Sequence, residues 1–108
     1  AYDRRDDGYH LDMPFENAHG NGGLLTTVGD LLRWSRQFRT PVVGDEALVT
    51  EQTTPGRFSD GMAHDYGLGV TLGSYRGLRE VRHSGSTAGY RAFLTVFPDR
   101  RAAVAVLC

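Results

Sequence analysis

Apolar and polar positions divide this chain into a patternless start, a helical middle and a β-rich second half. Residues 1–23 are rich in Gly, Asp, Asn and His and hold no sustained period, which predicts loop. Gly20-Asn21-Gly22-Gly23 closes that stretch, where glycine permits backbone conformations closed to other residues. Residues 24–54 predict helix. Thr27-Val28-Gly29-Asp30 reads as a capping-box start with Asp in place of the usual Glu or Gln. Val28, Leu31, Leu32, Ser35 and Phe38 follow near helical spacing. They predict a helix over 28–39 with one mostly apolar face, ended by Pro41. A weaker pattern predicts a second helix over 44–52, with Ala47 and Leu48 inward and Thr53-Thr54-Pro55-Gly56 closing it. Residues 55–65 predict a polar loop.

Residues 66–108 read as antiparallel strands. Residues 66–72 are strand-like despite Gly67 and Gly69, Ser74-Tyr75-Arg76-Gly77 turns the chain, and residues 78–83 return. Tyr90–Phe97 and Ala102–Leu107 are strong strands about a turn at Pro98-Asp99-Arg100. The predicted class is α+β: an antiparallel sheet of about four strands in the second half, with one or two helices before it, in a single segment 1–108. Trp34, Phe38, Phe93 and Phe97 are expected in the core. The last two strands are apolar on both faces, a pattern expected of strands covered on both sides. The chain stops inside the run Ala102-Ala103-Val104-Ala105-Val106-Leu107, so it is expected to be part of a longer protein.

Composition narrows the function classes. The 108 residues suit one domain, and 40% hydrophobic with 23% charged residues is ordinary for a globular chain. Twelve basic and thirteen acidic residues leave a net charge of −1. That balance gives no electrostatic case for a nucleic-acid partner or an anionic membrane. No apolar run approaches the ~20 residues of a membrane span. All twelve basic residues are arginine, which removes lysine from the possible bases. Cys108 is alone and cannot form an internal disulfide, so it assigns no compartment. His10, His19 and His64 lack metal-ligand spacing with one another or with Cys108; no metal and no cofactor is expected.

The chemistry concentrates in His83-Ser84-Gly85-Ser86, at the end of a predicted strand. Alternation puts Val81, His83 and Gly85 on one face and Arg82, Ser84 and Ser86 on the other. Adjacent His83 and Ser84 therefore cannot be a nucleophile and its base. Gly85 leaves room for a substrate to approach the backbone. A free amide at Ser86 can donate to a developing oxyanion, and His83 can transfer a proton or stabilise charge. The plainer alternative is a surface or structural histidine. A further alternative, an independent hydrolase, would use Ser84 or Ser86 with His64 and Asp65, although His64-Asp65 reads first as a solvated loop pair.

Four motifs in order carry a resemblance. Gly22-Gly23-Leu24-Leu25-Thr26-Thr27-Val28-Gly29-Asp30-Leu31 resembles the AGGL-x-ST-x-x-DL segment of the class C beta-lactamase-like serine hydrolases. Tyr66-Gly67-Leu68-Gly69-Val70 resembles their YGLGW strand. His83-Ser84-Gly85-Ser86-Thr87-Ala88-Gly89-Tyr90 resembles their H-x-G-x-x-x-G motif, the counterpart of Lys-Thr-Gly in the beta-lactamases proper. Phe97-Pro98-Asp99 and Ala103-Val104-Ala105-Val106-Leu107 resemble the hairpin that follows.

That family includes beta-lactamases, D-alanyl-D-alanine peptidases and esterases, which act through an acyl-enzyme. The resemblance implies the carboxy-terminal part of such a domain. His83 would line the cleft, the Ser86 amide would be the second oxyanion donor, and Ser84 and Gly85 would contact substrate. Gly22, Gly23 and Asp30 would be structural. The family's nucleophile sits in Ser-x-x-Lys, which a chain without lysine does not contain. The segment alone is therefore expected to be inactive, its partner in the complete enzyme being a small-molecule or peptide substrate. The histidine of the third motif leans towards the esterase and peptidase branches. The alternative function is a non-catalytic module that associates, with itself included, through exposed sheet.

Overall fold

The computed structural model describes residues 2–12, 20 and 22–108. The loop expected over 13–19, with His19, and Asn21 of the glycine-rich stretch lie outside the described residues. Residues 2–11, expected as loop, instead form an antiparallel hairpin of β1 (Tyr2–Arg5) and β2 (Gly8–Leu11). Polar side chains on both strands hide that pairing from a hydrophobic pattern, and Tyr2, Tyr9 and Leu11 stay exposed.

Helix α1 (Val28–Trp34) begins where its cap predicts. Thr27 Oγ1 accepts the Asp30 amide at 3.1 Å and donates to Asp30 Oδ2 at 2.9 Å. Thr27 thus caps the helix, while the Asp30 carboxylate reaches back to the Thr27 hydroxyl rather than to its backbone amide as in a full capping box. The predicted single helix over 28–39 tightens into a 3-10 turn at Ser35–Phe38, where Ser35 Oγ donates to the Leu32 carbonyl at 2.8 Å. The change of pitch brings Ser35, Gln37 and Phe38 inward and leaves Trp34 exposed. Buried Gln37 then pins the following loop: its Oε1 accepts the amides of Val42 (2.8 Å) and Val43 (3.2 Å), and its Nε2 donates to the Val43 carbonyl. Helix α2 (Glu46–Gln52) is capped by Asp45, which accepts the Leu48 amide at 2.9 Å. Its inward residue is Val49, not the expected Ala47 and Leu48, both of which are exposed.

The second half is an antiparallel meander in the order β3 (Thr71–Tyr75), β4 (Leu78–Thr87), β5 (Tyr90–Phe97), β6 (Ala102–Leu107). The class expected from the sequence, α+β with four such strands after the helices, is the one observed. Residues 66–70 do not join the first strand. Tyr66 makes a single bridge to Thr71, the Gly67 amide turns back onto the Val70 carbonyl at 2.8 Å, and Gly69 sits at φ +75°. Gly67 presses on the end of α2, where the Leu68 amide donates to the Gln52 carbonyl at 3.0 Å.

Two-residue turns join the first three strands. Arg76 and Gly77 both have positive φ, as hairpin twist prefers. Ala88 is held at φ 48° in the β4–β5 turn, a conformation that costs an L-residue about 1 kcal/mol.

The core is small: Phe38, Val70, Val81 and Val96 are buried, with Val49, Leu72, Leu94 and Ala103 packed around them. It lies between the helices and one sheet face. The outer face carries apolar residues too, and Phe93, Val104 and Val106 are 38%, 53% and 48% exposed there. Of the four aromatics expected inside, only Phe38 is buried. A buried carboxylate also lies on the outer face. Glu80 Oε1 accepts from Thr95 Oγ1 at 2.8 Å, and Glu80 Oε2 is 3.5 Å from Arg82.

Three substitutions test this description by urea denaturation. Ala88→Gly relieves the left-handed strain and raises the unfolding free energy by up to about 1 kcal/mol. Gly67→Ala drives a methyl into the Gln52 carbonyl and lowers it by about 1–3 kcal/mol. Thr95→Val leaves a buried carboxylate oxygen without its hydroxyl donor and costs about 1–3 kcal/mol.

Candidate active site

His83, Ser84, Gly85 and Ser86 fall inside β4 rather than at its end. Their placement follows from pairing. His83 lies opposite Leu94 and Gly85 opposite Ala92, on the same face as the buried Val81–Val96 pair. Ser84 lies opposite Phe93 and Ser86 opposite Arg91, on the outer face. The alternation read from sequence therefore holds: His83 looks towards the helices, and Ser84 looks away.

Among the described residues, only the first half of β4 has β3 as a partner. β3 pairs from Tyr75↔Leu78 to Thr71↔Arg82 and goes no further, whereas β5 pairs to Thr87↔Tyr90. The direction of the Ser86 amide follows. Arg91 exchanges both main-chain bonds with Cys108 (2.8 and 3.0 Å), so its polar groups face β6. Ser86, directly across from Arg91, then belongs to a non-hydrogen-bonded pair, and its N–H points away from β5. Ser84 repeats the orientation two residues earlier. Both amides face the side of β4 that β3 leaves unpaired.

His83 borders a cleft of about 770 Å³ between the sheet and the preceding segments, with Leu24, Trp34, Gln52, Tyr66 and Gly85 also on its walls. Among the described residues, the only hydrogen bond of the His83 ring joins its Nε2 to the Tyr66 hydroxyl, at 2.9 Å. The two rings are tilted by 60° with centroids 6.0 Å apart. A Cβ on Gly85 would meet only Ala92 Cβ, at an ordinary 3.5 Å. Packing within the chain therefore does not demand glycine at position 85, and its missing side chain leaves the cleft floor open.

Sequence reasoning gave Tyr66 no chemical part. The pairing of Tyr66 and His83 spans seventeen residues and depends on how residues 66–70 fold against α2. No periodicity signals it. Conversely, His64 is occupied elsewhere. Its ring packs on Phe58 with centroids 4.7 Å apart, and its Nδ1 accepts the Tyr66 amide at 3.3 Å. No hydrogen bond joins His64 or Asp65 to Ser84 or Ser86 among the described residues, so the independent hydrolase built on those four side chains is not assembled. No group of three or more His, Cys, Asp or Glu able to hold a metal occurs among the described residues. No helix of the described residues is long and apolar enough to cross a membrane.

Comparison with known proteins bears on this geometry. The Beta-lactamase family model matches residues 1–108. A D-aminopeptidase of Brucella anthropi is 33% identical over 73 residues, which cover 67% of this chain and 14% of that protein. The match thus spans about one seventh of its relative's length. No solved structure matches the chain. An α+β chain with its His-Ser-Gly-Ser run on a half-open strand, matched by that family model from end to end, belongs to the Beta-lactamase family.

Proposed function

We propose that this chain is a segment of a serine hydrolase that works through an acyl-enzyme on an ester, amide or beta-lactam. In this reading the segment supplies one wall of the cleft, and the attacking serine comes from elsewhere in the enzyme. The observation that carries it is the shared location of His83 and the Ser86 amide on the half of β4 that β3 leaves open. An amide N–H aimed away from its own sheet is a preorganised donor for an oxyanion. An imidazole three residues earlier can support the proton transfers of acyl transfer. Ser84 and Gly85 would flank the substrate between them. The similarity to a D-aminopeptidase favours an amide substrate, and the histidine of the third motif favours amides and esters over beta-lactams.

A second reading has its own support. Phe93, Val104 and Val106 present an apolar outer face, and β6 is a sheet edge. Such surfaces promote association, so the chain can act as a non-catalytic module that binds through exposed sheet.

Two measurements check these readings. The 108-residue chain is expected to show no turnover of nitrocefin, p-nitrophenyl acetate or D-alanine p-nitroanilide. In the complete enzyme, His83→Ala is expected to lower kcat/KM for its substrate by about 10²–10³-fold. Turnover by the isolated chain that His83→Ala abolishes would show that the segment needs no outside nucleophile. For the second reading, size-exclusion chromatography with light scattering should give a mass above 11.9 kDa at high concentration; a strict monomer sinks it.

A further inference from the structure

Tyr66 is held in place by its main chain on several sides. Its carbonyl accepts the Gly56 amide at 2.9 Å, its amide reaches His64 Nδ1 at 3.3 Å, and it bridges to Thr71. The neighbouring Asp65 carbonyl accepts the Leu72 amide at 2.6 Å, which ties the same stretch to β3. His64 leaves no room for a side chain at Gly56, so the loop that carries Tyr66 is closed tightly on itself. From this frame the phenol hydroxyl meets His83 Nε2 at 2.9 Å. Among the described residues, Nδ1 of His83 has no hydrogen-bond partner.

The direction of that bond follows from acidity. A phenol O–H is a far better acid than the N–H of a neutral imidazole, and an imidazole nitrogen is a far better base than a phenol oxygen. In the neutral pair, Tyr66 therefore donates and Nε2 accepts. The single ring proton of His83 must then sit on Nδ1.

We infer that Tyr66 is a positioning residue that selects the Nδ1–H tautomer of neutral His83, so that a ligand in the cleft meets a hydrogen-bond donor at Nδ1 while the Nε2 lone pair is already engaged. In that arrangement His83 does not serve as a free base through Nε2. It acts as a donor to charge on the ligand, and any proton that leaves or reaches Nε2 passes through the Tyr66 hydroxyl. The tautomer is a property of this chain, whereas its use on a substrate rests on the hydrolase reading above.

The test is a two-bond nitrogen–proton correlation spectrum of the 108-residue chain with labelled histidine, recorded where His83 is neutral. The expected pattern has a pyrrole-like Nδ1 and a pyridine-like Nε2. In Tyr66→Phe, which keeps the ring and removes the hydroxyl, the pattern should shift towards the Nε2–H form that unconstrained histidine prefers. The backbone amide spectrum shows whether that variant stays folded. An Nε2–H pattern in the wild-type chain overturns the inference, as does an unchanged pattern in folded Tyr66→Phe. If Tyr66→Phe does not fold, the wild-type pattern alone decides. A complete enzyme without hydrolase activity would sink the hydrolase reading and leave the tautomer result standing; an Nε2–H pattern would do the reverse.

Discussion

Among the described residues, strand β4 pairs with β3 from Leu78 to Arg82 and with β5 from Val81 to Thr87, so that from His83 onward it pairs with β5 alone. The rest of the molecule depends on that change. The half beside β3 holds Val81, which is almost wholly buried, and Glu80, whose carboxylate is satisfied by Thr95. The half beyond β3 holds the histidine, the glycine and two outward amides. An unpaired amide facing water is satisfied by water and costs little; once a ligand excludes that water, the amide needs an acceptor. One strand thus anchors the core with one half and offers donors with the other, without a loop between them to blur their spacing.

The core that anchors β4 is modest. Four buried apolar residues from the 3-10 turn, residue 70, β4 and β5 hold the helices to the sheet. Side-chain hydrogen bonds do much of the remaining positioning. Gln37 closes the loop after the 3-10 turn, Asp45 and Thr27 start the helices, and Thr53 and Thr54 return hydroxyls to carbonyls of α2 (2.8 and 2.6 Å). The outer sheet face carries Phe93, Val104 and Val106 towards solvent, and the matched relative is several times longer than this chain. Strands apolar on both faces suit a larger assembly of elements than the 108 residues contain.

Much of this architecture was legible residue by residue. Thr27 and Asp30 announced the first helix, Pro41 its limit, and Pro98-Asp99-Arg100 a turn of the meander; the turn read over Ser74-Tyr75-Arg76-Gly77 shrinks to Arg76-Gly77, because β3 runs on through Tyr75. The errors share one physical cause: a local pattern reports what a segment prefers, not what lies against it. Residues 66–72 looked like strand, but Gly67 packs against the α2 carboxyl end and Gly69 adopts a left-handed conformation, so pairing begins at Thr71. Trp34 and Phe93 looked like core because they are large and apolar, yet burial needs a partner surface. The β1–β2 hairpin was invisible because polar strands pair through main-chain bonds that carry no hydrophobic signature.

The sequence by itself determined the class, the four antiparallel strands of the second half and the faces of β4, because hydrophobic period and turn residues act over a few positions. It also determined that no Ser-x-x-Lys nucleophile lies in this chain, since lysine is absent. Only the tertiary structure decided that Tyr66 meets His83, that β3 stops pairing at Arg82, and that the Ser86 amide consequently points away from its sheet. Those are relations between distant segments. They arise from how far one strand runs beside another and from where a loop is pinned against a helix end, and neither is written in a local run of side chains.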